Sequence, residues 1–139
     1  MGYRSDVAYT IRFRGQKEDD FFLFLAEAKS KPELKLALDD CDIDTARKRI
    51  NFFCESTKWY ESDAGVISHM RLLDLAEDWA DHPSNAEDLI KNIASSGRAI
   101  GYAFIRMGEE DDDVEHRQGG EYELDWVGVR REIITDWMN

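Results

Sequence analysis

Between residues 7 and 13 the chain alternates, with Val7, Tyr9, Ile11 and Phe13 set against Ala8, Thr10 and Arg12. A period of two sends the two sets to opposite faces of a strand, and the apolar set marks the face that meets a core. Gly15 ends the run. From Glu18 to about Ser30 the period lengthens, with Phe21, Leu25 and Ala28 on one helical stripe that Phe22 and Phe24 widen. A chain that switches period within so few residues is predicted to lay helices on a sheet.

The same two patterns recur. Pro32 suits the first turn of a short helix in which Leu34 and Leu38 lie one turn apart, and the polar stretch 39–46 reads as a connection. Ile50, Phe52 and Cys54 mark a second strand after the basic triplet Arg47-Lys48-Arg49. Asp63 is placed to cap a helix whose stripe is Val66, Met70 and Leu73, broadened by Leu72, Ala76 and Trp79 and stopped by His82-Pro83. Another short helix is predicted over 84–94, ended by Ser95-Ser96-Gly97, and a third strand over 99–107. Gly119-Gly120 then introduce a fourth strand, Glu121 to Trp126, with Tyr122, Leu124 and Trp126 inward. Val129, Ile133 and Trp137 have helical spacing and also suit an extended tail. The expected order is β-α-α-β-α-α-β-β. It implies one α+β domain over residues 1–139, with a mostly antiparallel four-stranded sheet and helices packed on one face.

Charge narrows the function. Thirty acidic against eighteen basic residues give a net −12, which repels phosphate backbones and anionic lipid and favours basic protein partners. Solubility is the plainer use of such a surface. The first residues lack an apolar signal core and no run reaches transmembrane length, so a cytoplasmic protein is expected. Cys41 and Cys54 form neither a disulfide framework nor a Cys-x-x-Cys metal site.

The densest charge is the run Glu109, Glu110, Asp111, Asp112, Asp113, which Glu115 extends. Asp111, Asp113 and Glu115 imitate the opening of a calcium loop, but His116 stands where the turn glycine belongs and Tyr122 where the closing glutamate belongs. No metal ligand and no cofactor is therefore assigned. A solvated hairpin loop is one reading of the run. The other joins it to Glu121, Glu123 and Asp125, on the outward face of the expected fourth strand, as one acidic patch. Carboxylates on alternate strand positions lie about 6.5–7 Å apart, near the spacing of successive phosphates, so such a patch imitates DNA to an arginine-rich groove. Trp59 and Tyr60 follow the second strand and cannot both enter one core, which makes them candidate interface anchors. His69 lies within the apolar arc of its helix and reads as a satisfied core histidine. No Gly-x-Ser-x-Gly elbow or phosphate-cradling glycine loop is present.

The opening Met1-Gly2-Tyr3-Arg4-Ser5-Asp6-Val7, the segment Lys58-Trp59-Tyr60, the run from Tyr102 to Glu109 and the later Glu123-Leu124-Asp125-Trp126 together resemble a group of small bacteriophage proteins of unassigned function. The resemblance implies a phage origin. Joined to the charge, it suggests a non-enzymatic inhibitor of a host defence complex, of the anti-CRISPR or anti-restriction kind, that occludes a basic nucleic-acid-binding surface. The alternatives are a small metal- or nucleotide-dependent enzyme and a virion structural or assembly protein.

Overall fold

The alternating run at the start of the chain becomes the centre of a sheet. A computed structural model describes residues 3–13, 19–81, 100–110, 112–120, 127–129 and 133–135. Strand β1 (Ser5–Phe13) pairs antiparallel with β3 (Arg49–Thr57) on one side and β4 (Ile100–Gly108) on the other. A short β2 (Asp42–Asp44) extends the sheet beyond β3 and β5 (Val114–Gly120) extends it beyond β4, giving the order β2-β3-β1-β4-β5. Every pairing in this sheet is antiparallel.

Register fixes what each face carries. Tyr9 stands between Phe52 and Phe104, and Ile11 between Ile50 and Tyr102. This row meets helices α1 (Asp19–Lys29), α2 (Lys35–Asp40) and α3 (Ala64–Asp81), with a single 3-10 turn, Pro32–Leu34, leading into α2. α1 buries Phe21, Phe24, Leu25 and Ala28, and α3 buries Leu72, Leu73, Ala76 and Trp79. Each large apolar side chain so removed from water contributes about 1.5–3 kcal/mol. Aromatic rings close the end of the core, with Phe24 5.4 Å from Phe13 and 5.3 Å from Trp79. Asp63 caps α3 as expected, its Oδ1 accepting from the backbone of Gly65 at 2.8 Å and Val66 at 3.4 Å.

The opposite face is buried as well. Ala8, Ala103 and Ile105 form a second small cluster, and beside it Arg12 Nε donates to Thr10 Oγ1, which donates to Asn51 Oδ1 at 2.6 Å. An antiparallel pair of short strands, β6 (Val127–Val129) and β7 (Ile133–Thr135), lies close to the central strands, β6 near β4 and β7 near β1.

The α+β class, the antiparallel sheet and the helical layer agree with the sequence reading. The strand count does not, because five strands form the sheet where four were expected. β2 lies inside the segment read as a connection, and residues 114–116, read as loop, belong to β5. Gly119 and Gly120 are the last residues of β5: Tyr102 lies so close over Gly119 that a Cβ there would meet its ring, and Gly120 has a positive φ of 66°. The expected helix over 84–94 and the strand Glu121–Trp126 lie outside the described residues. Val129 and Ile133 are extended in the β6–β7 pair.

Leu72 is 0% exposed and Leu23 is 57% exposed. Leu72→Ala is expected to lower unfolding free energy by about 2–5 kcal/mol in urea titration. Leu23→Ala is expected to stay within about 0.5 kcal/mol of the parent. Equal losses at the two positions would contradict the assignment of faces.

Candidate functional site

Arg106 continues the core-facing phase of β4 after Ile100, Tyr102 and Phe104, one step beyond where the apolar core ends. A guanidinium in that position needs carboxylates, and β5 and its hairpin supply them. Arg106 grips Asp113 with both terminal nitrogens, at 2.7 and 3.1 Å, and Glu115 with Nε at 3.0 Å. Tyr3 donates its hydroxyl to the same Asp113 carboxylate at 2.6 Å, while the backbone N–H of Arg4 donates to Glu109. Gly108 makes room for this knot, since a Cβ there would collide with Asp113 and the Tyr3 hydroxyl. Hydrogen bonds first from Arg106 and then from Tyr3 hold the Asp113 carboxyl down at about 2, and Asp113 in turn raises Tyr3.

One register position from Glu115 on the same face, Arg117 reaches the helical layer. It donates to Asp74 and Glu77 of α3, both at 2.6 Å, and lies 5.9 Å from the Tyr102 ring centroid. The β4–β5 hairpin is thus tied to both the first strand and α3.

Between these ties lies an open groove of about 910 Å3. Val66, Ile67, Met70 and Asp74 of α3 line it, as do Trp59 and Tyr60 from the segment joining β3 to α3, and the Arg106 knot. Tyr60 is 41% and Ile67 39% exposed, so the groove opens apolar side chains to solvent beside the acidic Glu61, Asp74 and Glu115. Arg71 also lines it and has no ion-pair partner among the described residues.

Beneath Trp59 lies a polar chain inside the core. His69 is 2% exposed, and its Nε2 lies 3.1 Å from Asp40 Oδ2, which only accepts. Nδ1 therefore accepts from the Tyr9 hydroxyl at 2.6 Å, and Tyr9 Oη accepts in turn from the Cys41 thiol at 3.2 Å. One proton arrangement satisfies all four groups. Burial pulls His69 below its usual value, with Asp40 opposing, and pushes the Cys41 thiol up to about 12. Tyr9 is sealed from solvent and raised well above its ordinary value by the same cause. Hydrogen-bonded in this line, each of these buried polar groups has a partner in the core.

The residues singled out from sequence have different fates. Asp113 and Glu115 are committed to Arg106, and Glu109 accepts from Arg4, whereas Glu110 and Asp112 present exposed carboxylates. Trp59 rests half-buried on Phe52 and His69, with Tyr60 beside it and exposed. Asp111, Glu121, Glu123 and Asp125 lie outside the described residues. Tyr3, Ile67, Met70 and Asp74 were not anticipated. Arg106 was legible in principle, as a charged residue in the phase of an apolar strand face. Among the described residues no three of His, Cys, Asp and Glu converge to hold a metal ion, and no helix is long and apolar enough to cross a membrane. Comparison with protein-family models, curated sequences and solved structures finds no match to this chain.

Two outcomes follow from the buried chain. The unfolded state protonates histidine near its ordinary value, about 6.5, and the folded state only at lower pH. Stability is therefore full above that value and falls as pH drops through it toward the folded pKa. The urea midpoint should be lower at pH 5.5 than at pH 7.5, by more in the parent than in His69→Gln; equal dependence would show that His69 is not the group responsible. At pH 8 iodoacetamide should alkylate native Cys41, followed by peptide mass spectrometry, on the order of a hundredfold more slowly than in the urea-unfolded chain.

Proposed function

We propose that this chain is a non-catalytic acidic binding protein that occupies a basic, nucleic-acid-binding surface of another protein and so inhibits it. The observation that carries the reading is the groove beside Trp59. A lining of exposed Tyr60 and Ile67 and half-buried Met70, with Glu61 at its edge, is suited to a segment that is both basic and apolar. Arg106 engages Asp113 and Glu115 and offsets part of their charge, and Glu109, Glu110 and Asp112 at the hairpin tip stay exposed. A net −12 supplies long-range attraction to such a partner. The resemblance to small phage proteins directs the search for it to bacterial nucleoprotein complexes, including those of host defence.

Exposed charge pairs are screened over about 8–10 Å at physiological salt, so binding of this kind weakens as salt rises. Affinity capture from bacterial lysate at low and high salt is expected to retain a nucleic-acid-binding complex only at low salt. Duplex DNA should compete for that complex, and the triple variant Glu109→Gln, Glu110→Gln, Asp112→Asn should reduce its recovery several-fold. A captured complex indifferent to salt, to DNA and to these substitutions would overturn the reading.

A further inference from the structure

Beside the groove is a second recess, of about 400 Å3, lined by Phe52, Trp59, His69, Asp40, Asp63 and Lys58 among others. Trp59 and Val66 line both hollows, which makes the recess and the groove neighbours on one surface. Its aromatic members pack against one another, Phe52 4.1 Å from His69 and Trp59 5.6 Å from His69 between ring centroids. Mutual packing leaves this wall firmly placed.

The two carboxylates are each half-engaged. Asp40 holds His69 through Oδ2, and Asp63 holds the first turn of α3 through Oδ1. Asp40 Oδ1 and Asp63 Oδ2 have no hydrogen-bond partner among the described residues. Each is anchored by one oxygen, and both residues line the recess. Lys58 is the one cation in the lining, and it is exposed. An anion would face two carboxylates here, and a purely apolar group would strip them of water without replacing it. A cation with a flat apolar face satisfies both the rings and the carboxylates.

We propose that this recess receives an arginine side chain of the basic partner, its guanidinium stacked on the Trp59 ring and hydrogen-bonded to Asp40 and Asp63. The inference rests on the binding reading above and names the chemistry that the site recognises. Arginine fits better than lysine because its planar head stacks on an aromatic face and donates in two directions at once, whereas an ammonium is a strongly hydrated point charge. His69 belongs to the same wall, and burial favours its neutral form, so it adds a ring without adding a competing charge.

The test uses hexa-arginine and hexa-lysine as probes, titrated into the 15N-labelled full chain at near-physiological salt, with the Trp59 indole N–H assigned through Trp59→Phe. Hexa-arginine is expected to shift that resonance and to bind about tenfold more tightly than hexa-lysine. Asp40→Asn with Asp63→Asn should bring the two peptides to near-equal affinity. Asparagine keeps both the acceptor for His69 and the helix cap, so the fold is retained. Glu109→Gln with Glu110→Gln should weaken both peptides alike and leave their ratio unchanged. Equal binding of the two peptides with the Trp59 indole unmoved would overturn the arginine recess while leaving the acidic-surface reading intact. Failure of both peptides to bind even at low salt would overturn both.

Discussion

β1 is hydrogen-bonded along both edges and sealed on both faces, and the other elements take their positions from it. Its ladder to β3 and β4 aligns Tyr9 with Phe52 and Phe104, and that row is the surface on which α3 lies. Placing a tyrosine at the centre of such a row has a cost, because its hydroxyl enters the core with the ring. An unpaired hydroxyl there would cost about 1–3 kcal/mol. His69 removes the penalty from α3, Cys41 from the end of α2, and Asp40 carries the line of hydrogen bonds to the surface. The polar chain therefore fixes how α2 and α3 sit on the sheet, a precision that apolar packing alone does not impose.

The same geometry decides which charges are available. A net −12 says little about where negative potential is usable. Asp113 and Glu115 surround Arg106 and cancel it, while Asp74 and Glu77 hold Arg117, so part of the acidity serves to fasten the β4–β5 hairpin. What remains outward is the hairpin tip and the carboxylates beside Trp59. Trp59 stands at the centre of this arrangement, packed on the core by one side and shared by two hollows on the other.

How much of this could be read in advance follows from which interactions leave a periodic trace. β1, β3, β4, α1 and α3 were legible because their buried residues recur at two or at three to four. β2 was not, since three residues within a polar stretch, Asp42 to Asp44, join the sheet through backbone hydrogen bonds to Arg49, Ile50 and Asn51. β5 was obscured by Glu115, His116 and Gln118, which signal loop when the partner strand is unknown, and by glycines whose meaning depends on Tyr102 and on Ile100 opposite. At the site, Trp59 and Tyr60 stood out by residue type. The pairing of Arg106 with Asp113, and of Asp40 with His69, depends on contacts distant in sequence that no local pattern records.

Tyr3 meets Asp113 across 110 positions of sequence, and Arg4 meets Glu109 across 105. Both contacts flank β1, whose ladder with β4 is as distant in sequence. During synthesis β1 leaves the ribosome before β4, so one of its two hydrogen-bonding edges stays open until β4 has followed. A β1–β3 pair with the first helices can form sooner, but it displays an apolar strand edge for the interval. Sheets closed by such remote pairings fold slowly and are exposed to misassembly meanwhile. For this protein the exposed interval lies between the synthesis of β1 and that of β4, which closes its open edge.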